Sequence, residues 1–289
     1  VTYYSSPVQI PGTNWAYAVG INNTIHAVKT DGTLWAWGHN TTGMLGLNQA
    51  EPSAPAYSSP VQVPGTTWDY SSVYKIGGAN ESKAAIKTDG TLWVWGDNFD
   101  HGQLGIGNKT RYSSPVQVPG TTWNKVAQTN HFYMMASKTD GTLWAWGSNE
   151  YGELGQGNTT DYSSPRQIPG TTWSTLSSQQ RSSFATKTDG TMYSWGQNTY
   201  SGLGQNQATN AHQSSPKQLP GTTWSQVTSS YRTSWALKTD GTLWGWGRNF
   251  YGSLGLNNVT SPSDTGRSSP IQIPGTWTFA QGGSFFNQV

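Results

Sequence analysis

The sequence of 289 residues contains no cysteine, few charged side chains and no long apolar segment. Without cysteine there are no disulfides and no thiol chemistry, and only histidine and carboxylate ligands remain for zinc. The five histidines lack the spacing typical of metal ligands, so we predict neither a metal site nor a cofactor. No apolar run approaches the roughly 18 residues of a membrane-spanning helix, so we predict no membrane insertion.

Charged residues make up only 10% of the chain, and the formal net charge is +2. This balance leaves no electrostatic surplus for phosphates, so nucleic acid is not an expected partner. Disordered chains have few aromatic residues, whereas this one has 16 Trp and 14 Tyr, which predicts a folded protein. We find no Gly-x-Ser-x-Gly elbow and no phosphate-binding loop, and therefore predict no catalytic residues.

Three sequence blocks recur in a fixed order. The first, Ser-Ser-Pro-Val-Gln-Ile-Pro-Gly or a variant, begins near residues 5, 58, 113, 163, 214 and 268. The second, Lys-Thr-Asp-Gly-Thr, leads into Leu-Trp-Ala-Trp-Gly or a variant and begins at Lys29, Lys87, Lys138, Lys187 and Lys238. The third reads Asn-x-x-Gly-x-Leu-Gly in its regular copies. A period of about 52 residues indicates a repeat architecture.

Each unit is typical of four short antiparallel strands, which we call A to D in chain order. Asp-Gly between strands B and C is a strong signal for a tight hairpin. Pro-Val-Gln-Val-Pro suits an outer strand D, because proline cannot donate to a strand ladder. No segment shows sustained helical periodicity. Four such strands per repeat predict the blades of a β-propeller, whereas a solenoid, the competing fold, usually has shorter units.

The number of blades follows from where the repeats begin and end. Five complete repeats are present, and half units at both termini would combine into a sixth blade. We therefore predict an all-β chain that forms a single propeller domain over residues 1–289. The alternative is that the sequence is a window on a seven-bladed propeller.

The motif Thr-Asp-Gly-Thr-Leu-Trp-Ala-Trp-Gly-x-Asn-x-x-Gly-x-Leu-Gly resembles the repeat of the regulator-of-chromosome-condensation family. The resemblance covers essentially the whole chain, is nearest in style to bacterial and phage members, and implies a propeller, usually of seven blades. The family includes a guanine-nucleotide exchange factor, a plant ultraviolet photoreceptor and a secreted β-lactamase inhibitor. The resemblance therefore implies the fold but no single function. The photoreceptor motif Gly-Trp-Arg-His-Thr does not occur here.

The two faces of the predicted disc differ. In an antiparallel blade, the A–B and C–D connections lie on one face and the B–C and D–A connections on the other. The latter are nearly identical in every unit, whereas the former differ, which indicates a binding face or, alternatively, loops on which nothing depends. The candidate binding residues are Asn23, Asn80, Glu81, Phe99, Asp100, His131, Tyr133, Tyr151, Gln180, Arg181, Tyr200, Tyr231, Arg232 and Tyr251.

Other recurring residues suit structural roles. We expect the strand C tryptophans to pack between blades, because aromatic residues dominate buried cores. The aspartates of the Asp-Gly pairs should stabilise turns, and the repeated asparagines should bond loop backbone.

These features favour a non-enzymatic recognition module whose variable loops contact a protein or a glycan. Asn-x-Thr/Ser sequons at Asn22, Asn80 and elsewhere favour export, with an extracellular, virion-surface or cell-surface location. The alternative is a structural component of a filament, coat or surface assembly that forms by self-assembly. An enzyme with an unrecognised site is a third hypothesis.

Overall fold

The computed structural model describes residues 6–49, 55–129, 131–230, 232–250, 252–257 and 266–278, and these ranges form five separate sheets. Each sheet has four strands that pair antiparallel in chain order. Two short 3-10 turns, Val73–Lys75 and Thr199–Ser201, are the only helical segments within these ranges. The predicted all-β class and the four-stranded units are thus confirmed.

The strands follow the predicted A-to-D order in each blade. Blade 1 has β1 (Trp15–Ile21), β2 (Thr24–Lys29), β3 (Leu34–Gly38) and β4 (Tyr57–Gln62); blade 2 has β5 (Ile76–Gly78), β6 (Ser82–Ile86), β7 (Leu92–Gly96) and β8 (Tyr112–Gln117); blade 3 has β9 (Trp123–Val126), β10 (Tyr133–Lys138), β11 (Leu143–Gly147) and β12 (Tyr162–Ile168); blade 4 has β13 (Trp173–Gln179), β14 (Ser182–Lys187), β15 (Met192–Gly196) and β16 (Gln213–Gln218); and blade 5 has β17 (Trp224–Ser230), β18 (Thr233–Lys238), β19 (Leu243–Gly247) and β20 (Arg267–Ile273).

The Asp-Gly hairpins connect strands B and C as predicted. In blade 3, Asp140 Oδ1 accepts hydrogen bonds from the Thr142 amide at 2.9 Å and the Thr142 hydroxyl at 2.7 Å. Gly141 has φ +77°, a left-handed conformation that other L-residues rarely adopt. The same bonds form at Asp31, Asp89, Asp189 and Asp240. These carboxylates therefore stabilise turns.

A lysine at the end of each strand B lies between two aromatic rings. In blade 3, Lys138 Nζ is 4.8 Å from the ring centroid of Trp123 and 4.6 Å from that of Trp144. The Trp144 indole donates to the Thr142 hydroxyl at 2.9 Å. Equivalent cation–π pairs form at Lys29, Lys87, Lys187 and Lys238. These contacts tie strands A, B and C of one blade together.

The second tryptophan of strand C connects each blade to the preceding one. Trp146 of blade 3 is fully buried, and its indole N–H donates to the Gln103 carbonyl of blade 2 at 2.9 Å. The same bond joins Trp95 to Met44, Trp195 to Glu153 and Trp246 to Gly202, at 2.8–3.0 Å. A Cβ atom at Gly105 would lie only 2.5 Å from the Trp146 nitrogen, so this loop position requires glycine. The predicted packing between blades is confirmed for this second tryptophan in blades 2 to 5, whereas the first, such as Trp144, packs against Trp123 and Lys138 of its own blade.

The loop that accepts each indole is held by the repeated asparagine. Asn149 Oδ1 accepts from the Leu154 amide at 2.9 Å, and both residues are fully buried. Asn40, Asn98, Asn198 and Asn249 make the same bond to their loop leucines. The predicted bond from asparagine to loop backbone is therefore confirmed.

The predicted sixth blade lies partly outside the described residues, which omit 1–5 and 279–289. The described parts of its two halves, residues 6–14 and 274–278, contain no strand. Val8, Ile10 and Trp277 in these segments are 58%, 43% and 39% exposed. The sheets of the described residues are thus those of the five complete repeats.

Replacing Trp146 with alanine should lower the free energy of unfolding by about 3–5 kcal/mol, because it removes a fully buried indole and leaves a cavity between blades. Trp37 occupies the same position in blade 1 but is only half-buried, and Trp37→Ala should cost clearly less. Urea unfolding of both variants provides the measurement. Equal losses would contradict a role for this tryptophan in joining blades.

Candidate functional site

The backbone hydrogen bonds show which connections share a face. The Trp68 amide in the D–A link of blades 1 and 2 donates to Gly32 of the Asp-Gly turn at 3.0 Å. The Thr88 amide of the next turn donates to Thr67 of the same link at 2.9 Å. The B–C turns and D–A links therefore form one side, here called the turn face. The A–B turns and C–D connections form the other side, here called the variable face.

A line of contacts joins the A–B turns of four consecutive blades on the variable face. The Asn22 side-chain amide donates to the Asn80 carbonyl, and the Asn80 amide donates to the His131 carbonyl at 3.2 Å. The Arg181 Nε–H then donates to His131 Nε2 at 2.9 Å. Residues about 50 positions apart in sequence thus form one continuous polar surface.

Arg181 is the centre of this surface. Its guanidinium forms an ion pair with Glu150 and lies 4.8 Å from the ring centroid of Tyr151. The Tyr151 ring in turn makes an edge contact with His212, with centroids 4.7 Å apart. Because His131 Nε2 accepts from Arg181, His131 is neutral and carries its proton on Nδ1. Burial and the adjacent Arg181 charge lower the pKa of His131 to about 4.

Glu153 follows Tyr151 in the same loop and is fully buried. Its Oε2 accepts from the Tyr151 amide at 2.8 Å, while its Oε1 has no hydrogen-bond partner among the described residues. Burial raises the pKa of the Glu153 carboxyl to about 7. The site therefore contains a buried acid that changes protonation near neutral pH.

Two further carboxylate contacts lie on blades 2 and 3. His101 Nδ1 is 2.7 Å from the Asp161 carboxylate, and the His101 ring lies 5.6 Å from that of Phe132. Arg111 Nε donates to Asp97 at 2.5 Å. Carboxylates therefore contact His101 and Arg111 on this half of the variable face.

Blades 4 and 5 contribute a different cluster. The guanidinium carbons of Arg232 and Arg248 lie 4.5 Å and 4.9 Å from the ring centroid of Tyr200. Tyr200 has φ +54°, and the Thr209 hydroxyl accepts from its amide at 3.0 Å. Arg248 also lies 4.8 Å from the ring of Phe250. Here the arginines stack on aromatic rings.

Most of the predicted binding residues that the structure describes reach the variable face. Asn23, Phe99 and Asp100 are exposed, and the partly exposed members are Asn80, Glu81, His131, Tyr151, Gln180, Arg181, Tyr200 and Arg232. Tyr231 and Tyr251 lie outside the described residues. Which of these residues contact a partner stays a prediction.

The prediction for Tyr133 as a surface residue is wrong. Tyr133 is fully buried at the start of β10, where its hydroxyl donates to the Ser182 carbonyl at 3.1 Å and accepts from the Ser183 hydroxyl at 3.1 Å. The residue begins a strand instead of ending the preceding loop, so its side chain points into the interface between blades 3 and 4.

Sequence reasoning missed several residues that the fold brings into the site. Asp161, Arg248 and Glu153 were not among the candidates, although the first two lie on the variable face. Their partners are distant in sequence, as with His101 and Asp161, 60 positions apart. The sequence signal that could have identified Glu153 is its place in the repeat. It occupies the variable position of Gly-x-Leu-Gly, as Gln103 does in blade 2.

Among the described residues, no group of three or more potential ligands is placed to hold a metal ion. No helix in the same residues is long and apolar enough to span a bilayer.

Five radial four-stranded sheets with one variable face define a β-propeller of repeated blades. The model of the regulator of chromosome condensation (RCC1) repeat matches residues 89–129, 140–178, 189–237 and 240–284. A second model of the same repeat matches residues 224–253. The chain belongs to the RCC1 repeat family.

Individual proteins with known names or solved structures are also similar to this chain. The chain is 28% identical to the ultraviolet-B receptor UVR8 of Arabidopsis thaliana over 249 residues, 86% of this chain and 43% of the receptor. Prp20p of Saccharomyces cerevisiae matches with a TM-score of 0.73 and 18% identity over 90% of this chain and 63% of that one. Human WBSCR16 matches with a TM-score of 0.74 and 19% identity over 88% and 65%. The chain thus spans less than half of the plant receptor and under two thirds of the two solved proteins.

Tyr133 provides a test of the corrected placement. Tyr133→Phe should lower the free energy of unfolding by about 1 kcal/mol through loss of the buried hydroxyl bonds, and Tyr133→Ala by about 3–5 kcal/mol. Asn23→Ala, at an exposed position of the same face, should change it by less than about 0.5 kcal/mol. Chemical unfolding measures all three. An unchanged free energy of unfolding for Tyr133→Ala would contradict the buried position of Tyr133.

Glu153 makes stability depend on pH. Because its folded-state pKa of about 7 lies above its ordinary value of 4.5, the native state retains a proton that the unfolded chain loses between these values. The Glu153 contribution to unfolding free energy therefore falls as pH rises from about 4.5 to 7. Glu153→Gln should remove this decline and stabilise the protein by on the order of 2 kcal/mol at pH 8.

The measurement compares wild type and Glu153→Gln at pH 5 and pH 8. Taking the difference between the two proteins cancels the histidines, whose depressed pKa values make the native state less stable towards acid. A constant difference between the two pH values would contradict a buried, titrating Glu153.

Proposed function

We propose that this chain is a non-enzymatic binding module that holds a protein partner on its variable face. The observation that carries the proposal is the contrast between the faces. The turn face repeats one arrangement of Asp-Gly turn, lysine and two aromatic rings in every blade. The variable face instead contains different charged, amide and aromatic side chains that meet across blades.

The chemistry of the variable face suits protein recognition. Arginine and tyrosine are enriched where binding energy concentrates, and here Arg181 is already oriented by Glu150, His131 and Tyr151. Pre-ordered side chains lose less entropy on binding than free ones. The blades therefore hold Arg181 in an ordered position, which lowers the entropy lost when it binds a partner.

Relatives support a protein as the partner. The structure of Prp20p was described together with its binding to Gsp1p and histones, and another structure shows yeast RCC1 (Prp20) bound to Kap60. We extend only the general property, protein binding, to this chain. Glycan binding and self-assembly receive no comparable support, and an exported or surface location stays a sequence-based prediction.

The test is affinity enrichment from the proteins of the source organism, quantified by mass spectrometry for wild type and variants. Phe99→Ala with Arg181→Ala should reduce capture of the enriched partner at least tenfold while leaving thermal stability nearly unchanged. Little stability is lost because Phe99 is 65% exposed and the Arg181–Glu150 pair is partly exposed.

A matched control changes the turn face. Thr139→Ala with Thr188→Ala alters two exposed side chains there and should leave capture unchanged. Binding that survives the variable-face substitutions but is lost with the turn-face pair would assign recognition to the opposite side. Direct titration with the purified partner then gives the dissociation constants.

A further inference from the structure

The arginine–tyrosine cluster of blades 4 and 5 differs in charge from the rest of the variable face. Between Asp189 and Asp264 the sequence contains a single acidic residue, Asp240. The Asp240 carboxylate accepts bonds within its own Asp-Gly turn, on the turn face. The described variable face of blades 4 and 5 therefore carries cationic side chains and no carboxylate.

The backbone holds the arginines of this cluster side by side. The Arg248 amide donates to the Arg232 carbonyl at 2.7 Å. The guanidinium groups of both residues lie near the Tyr200 ring. Arg267 pairs with Gly247, the residue before Arg248, in the β19–β20 ladder. Its Nε is buried and has no hydrogen-bond partner among the described residues. Gly266, next to it, packs so closely on the Tyr200 carbonyl that a Cβ would clash.

Stacking determines which part of the Arg248 guanidinium remains available. An arginine that lies over an aromatic ring uses its planar face, while its N–H edge stays free to bind a carboxylate with two parallel hydrogen bonds. Arg248, which lies near Tyr200 and Phe250, is oriented in this way. The order imposed by the rings lowers the entropy lost on binding.

We propose that Arg248 and Arg267, in the cluster that also contains Tyr200, Arg232 and Phe250, dock an acidic segment of the protein partner through its Asp or Glu carboxylates. This inference rests on the proposed function and specifies part of its site. The charge pattern favours a short acidic segment over nucleic acid, because Glu150, Asp100 and Glu81 on blades 2 and 3 would repel a phosphate chain that extended across the face.

The experiment measures fluorescence anisotropy of a fluorescein-labelled hexaglutamate peptide with the full chain at low salt. Wild type should bind hexaglutamate and not hexalysine, and Arg248→Gln with Arg267→Gln should weaken binding at least tenfold. The matched control, Arg166→Gln with Lys217→Gln, removes the same charge from exposed positions of outer strands and should change affinity less than twofold. Arg248→Lys, which retains the charge but lacks the planar fork, should give an intermediate loss of about threefold.

Several outcomes would overturn the inference. These are equal affinity for hexaglutamate and hexalysine, an equal loss in the control pair, or tighter binding of oligothymidine through the same arginines, which would indicate phosphate recognition. If hexaglutamate fails to bind while Phe99→Ala with Arg181→Ala still abolishes partner capture, the acidic-segment proposal fails and the proposed function stands.

Discussion

The hydrogen bond from a strand C indole to a loop carbonyl of the preceding blade is the contact on which the structure depends. It joins Trp146 to Gln103 and is repeated at three other blade interfaces. Each bond satisfies the one polar atom of a large buried ring, and so combines apolar burial with a directional constraint. Because the accepting loop is also held by its asparagine, neighbouring blades keep a fixed relative position.

This constraint explains why the variable face can differ from blade to blade. The indole and asparagine bonds hold the Gly-x-Leu-Gly part of every C–D connection, so the adjoining residues are free to carry different chemistry. Carboxylates pair with Arg111 and Arg181 on blades 2 to 4, whereas arginines stack on Tyr200 at blades 4 and 5. A rigid scaffold thus presents two chemically distinct regions on one face.

Some blade interfaces contain ionisable groups that lower stability. His26 and Lys83 are fully buried between blades 1 and 2, where His26 lies 5.7 Å from the Trp95 ring. Burial, with the nearby Lys83 charge, lowers the pKa of His26 to about 3, and burial lowers that of Lys83 to about 7. The position equivalent to His26 is Phe184 in blade 4, which packs on Trp246 without this cost.

The sequence by itself determined the repeat, the four strands of each blade, the Asp-Gly turns and the face on which the variable loops lie. These features follow from repeated local patterns, such as the Asp-Gly turns in which Thr142 donates to Asp140, and local chemistry is enough to predict them. Only the tertiary structure decided that Tyr133 is buried and that His101 meets Asp161. Such contacts join different blades, so they exist only after the indole bonds have brought those blades together.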